Sequence, residues 1–314
     1  MNINQQNNIK FLLKKSEIKF NEPMSRHSTF GIGGPAECLV YPHDSNELSI
    51  LLRYIDNNNI PIFFIGSGSN ILFYDKLIQG FIISLKKTFK QFSISKKLQI
   101  NAQSGVMLGT LIKNAIKLNA KGLESLIGVP GTLGGALIMN AGAFGNEISN
   151  YLKLAHTMTS DGSIKTYKKA DIDFKYRYSS FPKNEILLDA IFQCIEGEPV
   201  KIKHDREKAS RLRRNNQPLK YRSAGSIFKN PSKDLAAGYL IDQAGLKGIE
   251  KGDACISNKH ANFIINNGSA KASDVLYLIQ LIKNTVQNKF NVNLELEVKL
   301  IGFPKIITDK SLYS

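Results

Sequence analysis

The sequence GLESLIGVPGTLGGALIMNAGAFGNEI, residues 122–148, carries more information about the fold than any other stretch of the chain. It holds seven glycines, and most residues between them are small or apolar. Backbone without side-chain bulk can approach a flat or elongated ligand closely, and Gly134-Gly135-Ala136 is placed to begin a helix at that surface. The stretch therefore predicts a nucleotide-like ligand held against the backbone.

A second glycine-bearing loop, Gly66-Ser67-Gly68-Ser69-Asn70, follows an apolar strand predicted over 61–65. Amides in such a loop can point together and bind a phosphate or pyrophosphate, because few side chains stand in the way. A tight turn before the next strand explains the same residues equally well, and both interpretations stay open. The loop matches neither GxxxxGK followed by Ser or Thr nor a full GxGxxG, so it predicts neither a P-loop nor a standard Rossmann site.

The periodicity of the chain predicts both helices and strands, and the fold class is therefore α+β. Apolar spacing after Asp44 fits a helix with that residue as its N-cap, and Asp161-Gly162 fits the turn of a hairpin. A long helix is predicted over 273–290, with Ser273 or Asp274 as its cap. Further elements are predicted as a basic helix over 201–215 and strands over 225–229 and 293–301.

The length of 314 residues suits two domains. We place a boundary near residue 200. The first region covers 1–200, with a further division into 1–65 and 66–200, and a second domain covers 201–300. Residues 301–314 are expected to form a C-terminal tail.

Net charge is the unusual bulk property of the chain. Its 42 basic and 26 acidic residues give +16, which favours polyanionic partners: nucleic acid, an anionic membrane surface or phosphorylated small molecules. Lysine, asparagine and isoleucine are abundant throughout, however, so a general compositional bias explains the charge equally well. The charge alone therefore does not decide the function.

Other bulk features indicate a soluble cytoplasmic protein. No apolar run approaches the ~18 residues of a membrane span, and no secretory signal is visible. The three cysteines lie far apart without a CxxC pair, and the five histidines form no HExxH. We therefore expect neither a disulfide framework nor a metal site.

Several polar residues are candidates for chemistry. Arg177 lies between two tyrosines, where it either binds a carboxylate or covers the rings at the surface. Ser226 follows a glycine, but no GxSxG surrounds it, which argues against a hydrolytic triad. In the alternating run LELEVKL, Glu295 and Glu297 share the polar face of the predicted strand; such a face is usually solvated and serves acid–base chemistry only where it closes over a cleft.

Taken in order, these motifs resemble those of the UDP-N-acetylenolpyruvoylglucosamine reductase family. Ser67 departs from the pattern, since the family usually has a second consecutive glycine there. The length and the short region 176–196 resemble the shorter subtype, which lacks a substrate-capping tyrosine loop. The segments that carry the resemblance span almost the whole chain: HSTFGIGGPAE (27–37), GSGSN (66–70), the stretch 122–148, YRYSSF (176–181), RSAGSIFKNP (222–231), AGYLIDQAGLKG (237–248), SNKHANFIIN (257–266) and LELEVKLIG (294–302).

The resemblance implies a vanillyl-alcohol-oxidase-type (PCMH-like) FAD-binding region followed by a smaller α+β substrate-binding domain. It implies that FAD is bound non-covalently, that NADPH is the reductant, and that UDP-N-acetylglucosamine enolpyruvate is reduced to UDP-N-acetylmuramate for peptidoglycan synthesis. The residues implied to contact FAD are Gly66, Ser67, Gly68, Ser69, Asn70, Gly128, Val129, Pro130, Gly131, Thr132, Gly134, Gly135, Ala136, Asn140, Ala141 and Gly142.

The resemblance also implies a catalytic trio. Arg177 would stabilise the charge that develops when hydride reaches C3 of the substrate, Ser226 would donate a proton to C2, and Glu297 would polarise or protonate the carboxylate side. Implied substrate contacts are Tyr176, Arg222, Lys229, Asn230, Gln243 and His260.

We expect a monomer that binds neither nucleic acid nor a membrane. Two alternative functions remain. The protein could be another flavin oxidoreductase of the same fold, or a nucleic-acid-binding protein; the second hypothesis rests on net charge alone.

Overall fold

Helices and strands are distributed along the whole of residues 1–304, which the computed structural model describes. The helices are α1 (Ile3–Leu12), α2 (Ser45–Asn57), α3 (Leu108–Lys117), α4 (Leu133–Ile138), α5 (Pro199–Asn216), α6 (Ala237–Gln243) and α7 (Ala272–Phe290). The strands are β1 (Glu17–Pro23), β2 (Pro35–Tyr41), β3 (Ile62–Ile65), β4 (Ile71–Phe73), β5 (Ile78–Ser84), β6 (Phe92–Ile94), β7 (Gln99–Gln103), β8 (Ala120–Lys121), β9 (Gly142–Ala143), β10 (Asn146–Glu147), β11 (Leu152–Met158), β12 (Ile164–Lys168), β13 (Phe174–Lys175), β14 (Tyr178–Ser179), β15 (Ile186–Gln193), β16 (Ile195–Glu196), β17 (Glu250–Lys251), β18 (Ala254–Ile256), β19 (Ile264–Asn266) and β20 (Lys299–Ile301).

The chain forms two compact units, and neither is a continuous segment. Unit 1 contains Met1–Phe20, Cys38–Ser67 and Gly80–Arg213, whereas unit 2 contains Asn21–Glu37, Gly68–Gln79 and the chain from Arg214 onward. These units differ from the predicted boundary near residue 200, because two early segments fold with the C-terminal part.

Residue 301, where the C-terminal tail was predicted to begin, still belongs to a strand. Residue 301 ends strand β20, which pairs in parallel with β4. The part of the predicted tail from residue 305 lies outside the described residues.

The first core of unit 1 includes one face of α2 and residues of the sheet with strand order β1-β2-β5-β3. Leu48, Leu51 and Leu52 of α2 are at most 2% exposed, as their spacing predicted. The carboxylate of Asp44 accepts a 2.9 Å hydrogen bond from the N–H of Glu47, so the predicted N-cap is confirmed.

The second core of unit 1 lies against a sheet of order β12-β11-β15-β7-β6, whose neighbouring strands are all antiparallel. Its outer hairpin joins β11 to β12, and Gly162 in the turn has φ +82°, a conformation that glycine adopts without strain. The predicted hairpin is therefore confirmed. Phe81 and Met158 pack in the first core, so the two cores do not divide at residue 65 as expected.

Unit 2 is built on α6, α7 and an antiparallel sheet of order β17-β18-β19. Its core includes Phe30, Ile32 and Leu72 from the two early segments. The carboxylate of Asp75 accepts hydrogen bonds from the N–H groups of Ala272 (2.7 Å) and Ser273 (3.1 Å), the first residues of α7.

The predicted cap of α7 is therefore wrong. The N-cap position belongs to Lys271, and Asp274 is the third helical residue, whose carboxylate accepts a 2.9 Å bond from the Lys271 N–H. The free N–H groups of the first turn are satisfied by Asp75, which is far away in the sequence and which local patterning does not reveal.

Two predicted strands are shorter or less regular than expected. Only Lys299–Ile301 of the predicted strand 293–301 forms a strand, and the segment 225–229 makes isolated bridges through Ser226 to Phe263 and through Phe228 to Leu296. The alternation still predicts the buried face correctly, since Leu294 and Val298 are at most 3% exposed.

Candidate active site

The two glycine-bearing motifs meet within unit 1. A Cβ on Gly66, directly after strand β3, would lie 2.5 Å from Oγ1 of Thr132, so only glycine permits this approach. Thr132 is the N-cap of α4, and its Oγ1 accepts a 3.4 Å hydrogen bond from the N–H of Gly135. The structure thus joins segments that lie more than sixty residues apart in the sequence.

Ser67 carries a polar atom that the described residues leave unsatisfied. Its Oγ is buried and has no hydrogen-bond partner among residues 1–304. Such a hydroxyl costs roughly 1–3 kcal/mol, and a polar ligand atom bonded to it would remove that cost. This position, directly after the contact of Gly66 with Thr132, fits an anionic dinucleotide.

The next residues of the loop belong to unit 2 and are fixed by neighbours there. Gly68 has φ +71°, and a Cβ on it would overlap the carbonyl oxygen of His27. The carbonyl of Gly68 accepts a 3.1 Å hydrogen bond from the N–H of Thr29. The side-chain amide of Asn70 donates a 3.0 Å bond to the carbonyl of Glu297.

The predicted FAD contacts in the stretch 128–142 differ from one another in solvent exposure. Gly128, Pro130 and Gly135 are exposed, and Val129 and Gly142 are half-buried. The remaining members are buried, and Gly134 has a packing role, because its N–H donates a 2.8 Å bond to the carbonyl of Ser104. The buried members are Gly131, Thr132, Gly134, Ala136, Asn140 and Ala141.

Arg177 occupies the turn of a small hairpin in unit 1. Strands β13 and β14 pair with Lys175 opposite Tyr178, which leaves Tyr176 and Arg177 as the turn. The guanidinium carbon of Arg177 lies 4.8 Å from the centre of the Tyr176 ring, a cation–π distance. Its backbone has φ +56°, which is unusual for a residue with a side chain.

A second arginine, which the sequence did not single out, lies near Arg177 within unit 1. Burial, together with the nearby positive charge of Arg177, lowers the pKa of Arg213. A Cβ on Gly128 would be 3.2 Å from the Cδ atom of Arg213, so this arginine also lies against the glycine-rich stretch. Two neighbouring guanidinium groups favour an anionic ligand.

Buried Asn140 and half-buried Glu147 form a polar pair beside the hairpin. Asn140 is fully buried, and its side-chain Nδ2 donates to Oε2 of Glu147 (2.7 Å) and to the carbonyl of Lys175 (3.0 Å). A Cβ on Gly142 would lie 3.0 Å from Cγ of Glu147 and 3.4 Å from Nη1 of Arg177. The pair therefore borders the arginine.

In unit 2 the structure brings the segments of Ser226 and Glu297 together. The N–H of Glu297 donates a 2.8 Å hydrogen bond to the carbonyl of Ile227, the neighbour of Ser226. The side chain of Asn262 holds both backbone groups of Phe228, with bonds of 2.9 Å from its N–H and 2.8 Å to its carbonyl. Ser226 and Glu297 are both half-buried.

The remaining predicted substrate residues in unit 2 have varied surroundings. Lys229 forms an ion pair of 3.2 Å with Glu295, and Asn230 accepts a 3.1 Å bond from the N–H of Ala237 at the start of α6. Gln243 is exposed at the end of the same helix. Asn230 therefore has a structural role in capping, whatever else it contacts.

Arg222 and His260 lie against the backbone of unit 2. A Cβ on Gly31 would be 2.8 Å from Cδ of Arg222, so the arginine side chain crosses a bare glycine. Nδ1 of His260 accepts a 3.3 Å hydrogen bond from the N–H of Asn262, and burial lowers the pKa of this histidine. The imidazole is therefore held neutral, with its remaining proton on Nε2.

Within residues 1–304, no group of three or more His, Cys, Asp or Glu side chains is arranged to hold a metal ion. The cysteines Cys38, Cys194 and Cys255 are buried as free thiols. None of the helices in the described part of the chain has the length and apolar character to cross a membrane.

Two family models match the chain. A model described as UDP-N-acetylenolpyruvoylglucosamine reductase, C-terminal domain, matches residues 217–301, and one described as FAD binding domain matches residues 36–168. UDP-N-acetylenolpyruvoylglucosamine reductase of Clostridium novyi (strain NT) is 40% identical over 292 residues, covering 93% of this chain and 94% of that protein. The protein of the same name from Clostridioides difficile (strain 630) is 41% identical, covering 94% of this chain and 97% of that protein.

The chain belongs to the UDP-N-acetylenolpyruvoylglucosamine reductase family.

A crystal structure of UDP-N-acetylenolpyruvylglucosamine reductase from Thermus caldophilus superposes with a TM-score of 0.76 at 32% identity, covering 91% of this chain and 99% of that chain. Membership of the reductase family confirms the resemblance of the motifs, the predicted fold class with its FAD-binding region, and FAD as cofactor. The enzyme class, an oxidoreductase, is confirmed with it. The roles of the individual site residues stay predictions.

Three residues that border the site were missed by sequence reasoning. Arg213 lies among many other basic residues of α5, and Glu147 and Asn262 lie inside motifs that were quoted for other members. Only their contacts distinguish them, namely the approach of Arg213 to Gly128 and the hydrogen bonds of Glu147 and Asn262. The position of Glu147 within the glycine-rich stretch 122–148 was the one available signal.

Proposed function

We propose that the protein reduces UDP-N-acetylglucosamine enolpyruvate to UDP-N-acetylmuramate, a step of peptidoglycan precursor synthesis, with NADPH as the reductant. The observation that carries this proposal is the family match, at 40% identity over 93% of the chain. We further propose that the enzyme works in the cytoplasm as a monomer and that its partners are these two small molecules.

The residues of the chain fit FAD. Gly66 and Thr132 approach each other through bare backbone, and the buried Oγ of Ser67 lacks a hydrogen-bond partner among the described residues. Gly128, Pro130 and Gly135 offer exposed backbone, and Gly128 lies next to Arg213, whose positive charge suits an anion. When bound here, FAD would supply hydride transfer between NADPH and C3 of the substrate.

Arg177 stabilises negative charge in this mechanism. Hydride addition at C3 leaves an electron pair on C2 that delocalises into the substrate carboxylate. A guanidinium that is already oriented lowers the energy of this enolate-like state without reorganising, whereas water would have to reorient. The stacking of Arg177 on Tyr176 at 4.8 Å supports such fixed orientation.

Ser226 and Glu297 complete the reaction with a proton. The hydroxyl of Ser226 protonates C2, which converts the carbon–carbon double bond to a single bond once hydride and proton have both been added. An ordinary serine hydroxyl is a weak acid, so the step depends on a strongly basic carbanion and on help from Glu297 and Lys229. The hydrogen bond between the Glu297 N–H and Ile227 supports joint action of these residues.

The substrate residues are proposed as a second group. Lys229, Arg222 and Gln243 offer charge or amide groups for the carboxylate and the diphosphate, and Tyr176 adds an aromatic surface. His260 is suited to hydrogen bonding as a neutral group, because burial lowers its pKa. The side chain of Asn230 accepts a hydrogen bond from the first residue of α6, so we propose that Asn230 contributes to the substrate site through the position of its backbone.

The test is anaerobic spectroscopy of the purified protein. We expect a yellow protein whose flavin absorbance is bleached by NADPH and restored when the enolpyruvyl substrate is added. Restoration by oxygen but not by this substrate would indicate a different flavin oxidoreductase. A colourless protein whose salt-sensitive affinity increases with DNA length would contradict the proposal altogether.

A further inference from the structure

Arg177 is held in a backbone conformation that does not form by itself. Its φ of +56° is left-handed, and such a conformation costs a residue with a Cβ about 1–2 kcal/mol. In the two-residue turn between β13 and β14, glycine or asparagine is the usual solution. Interactions on either side of the turn must therefore maintain the conformation.

Both arms of this hairpin are tied to the segment that follows helix α4. Before the turn, the carbonyl of Lys175 accepts a 3.0 Å hydrogen bond from Nδ2 of Asn140. After the turn, Oγ of Ser179 donates a 2.7 Å hydrogen bond to the carbonyl of Ile138. These two bonds fix the position of the Arg177 turn relative to the glycine-rich stretch on which the flavin is proposed to lie.

Glu147 fixes the orientation of the Asn140 amide. The two protons of Nδ2 go to Oε2 of Glu147 (2.7 Å) and to the Lys175 carbonyl (3.0 Å), and both partners are acceptors. A flipped amide would place its oxygen against these acceptors, so only one orientation is stable. Oδ1 of Asn140 has no partner in the described part of the chain, so the two bonds that Nδ2 donates are the contacts that orient the amide there.

Glu147 and Arg177 also lie near the same glycine, Gly142. It pairs directly opposite Gly142 in the strands β9 and β10. A Cβ at Gly142 would be 3.0 Å from Cγ of Glu147 and 3.4 Å from Nη1 of Arg177, so both side chains lie against this glycine.

We propose that Asn140, oriented by Glu147, is a positioning residue that holds Arg177 for the substrate carboxylate and that its two amide protons are not available to the flavin. This inference rests on the proposed function. Asn140 is fully buried and both of its amide protons are already bonded within the protein, so these two bonds couple the glycine-rich stretch to the arginine hairpin.

The test uses Asn140→Asp in the full-length flavoenzyme. Asp tolerates the left-handed backbone of Asn140 (φ +43°) but replaces the donor with an oxygen that faces the Glu147 carboxylate and the Lys175 carbonyl. At neutral pH the two carboxylates repel each other, and at lower pH they share one proton, which restores a hydrogen bond.

We expect NADPH to reduce the flavin of Asn140→Asp at the wild-type rate, while reoxidation by the enolpyruvyl substrate slows roughly 100-fold. The dissociation constant of this substrate, measured by titration of the oxidised flavin spectrum, should rise. Reoxidation should recover relative to wild type as the pH is lowered. In Asn140→Asp/Glu147→Gln this recovery should vanish, because no shared proton remains.

Asn59→Asp is the matched control, since Asn59 has φ +50° and is exposed. It should behave as wild type in every measurement. If Asn140→Asp does not fold, Ser179→Ala removes the other tie of the hairpin and should slow reoxidation selectively.

Loss of FAD from folded Asn140→Asp, equal slowing of both half-reactions, or a pH profile parallel to wild type would overturn the inference. In the Ser179→Ala experiment, unchanged reoxidation would overturn it as well. A wild-type enzyme that is reduced by NADPH but not reoxidised by the enolpyruvyl substrate would instead refute the proposed function.

Discussion

The backbone N–H of Glu297 lies 2.8 Å from the carbonyl oxygen of Ile227, which places the glutamate segment next to Ser226 within unit 2. The contact is made between backbone atoms, so substitution of either side chain leaves it in place. Side-chain variants at these two positions therefore test chemistry with little disturbance of the local fold.

For Ser226→Ala we expect normal reduction of the flavin by NADPH and a loss of roughly 100- to 10,000-fold in reoxidation by the substrate, because only the second half-reaction needs the proton. Stopped-flow absorbance measures both steps separately. Ser232→Ala is the control, since Ser232 is exposed on the same segment. Equal slowing of both steps in Ser226→Ala would show that the proton-donor role is wrong.

The two neighbouring glutamates provide an internal comparison. Glu297→Ala should slow reoxidation to a similar extent as Ser226→Ala, whereas Glu295→Ala should change turnover little. Glu295 is 75% exposed and pairs with Lys229 at 3.2 Å, and exposed ion pairs contribute only about 0–1 kcal/mol. Steady-state kcat and KM of both variants decide the assignment; comparable losses of kcat would mean that the wrong glutamate was chosen.

Gly66→Ala tests the close approach of the glycine motifs. The new Cβ would lie 2.5 Å from Oγ1 of Thr132, so the start of α4 must shift, and we expect weaker FAD binding with a loss of roughly 1–3 kcal/mol in the free energy of unfolding.

Gly109→Ala serves as the matched control in helix α3, where a Cβ meets nothing within 4 Å. It should raise the free energy of unfolding by up to about 1 kcal/mol. Flavin content per protein and denaturant unfolding measure the two effects. Full retention of FAD by Gly66→Ala would refute a role for the close approach of Gly66 to Thr132 in FAD binding.

His260 should make unit 2 less stable in acid. Burial lowers its folded-state pKa, while the unfolded imidazole keeps a pKa of about 6.5. As the pH falls below about 6.5, the unfolded chain gains a proton that the folded protein resists, so the free energy of unfolding decreases.

His260→Gln should flatten this pH dependence, as measured by Tm between about pH 7 and pH 5. His204→Gln should leave it unchanged, because the side chain of His204 is 69% exposed. A wild-type slope in His260→Gln would assign the acid sensitivity to other groups.

Local features of the fold were predictable from sequence because their causes are local. The Asp44 cap acts on a residue three positions away, and the Asp161-Gly162 turn joins adjacent strands. The cap of α7 was missed because its acceptor, Asp75, lies 197 residues from Ala272. The same reason applies to the units, since no composition change marks residues 21–37 or 68–79 as parts of a C-terminal core.

In the candidate site, too, features with local causes were predictable and contacts between distant residues were not. Glycine spacing indicated both motifs, but the contact between Gly66 and Thr132 is visible only in the folded structure. Alternation identified the polar face that carries Glu297, yet it also predicted a regular strand where the chain makes isolated bridges. Asn140 was predicted as a flavin contact from its motif, and that contact stays a prediction; the hydrogen bonds from its side chain to Glu147 and Lys175 could not be predicted from the motif.

The long-range cap of α7 constrains how the newly made chain folds. Three early residues form hydrogen bonds with residues that are synthesised much later. The Asp75 carboxylate accepts from the N–H of Ala272, and the N–H of Tyr74 donates a 3.0 Å bond to the carbonyl of Ile301. The carbonyl of Phe30 accepts from the side chain of Asn266. At about 5–20 residues per second, the ribosome exposes Phe30 and its apolar neighbours for many seconds before these partners emerge. Unit 2 therefore cannot close before residue 301 has emerged, and a shorter released chain would expose apolar surface to chaperones.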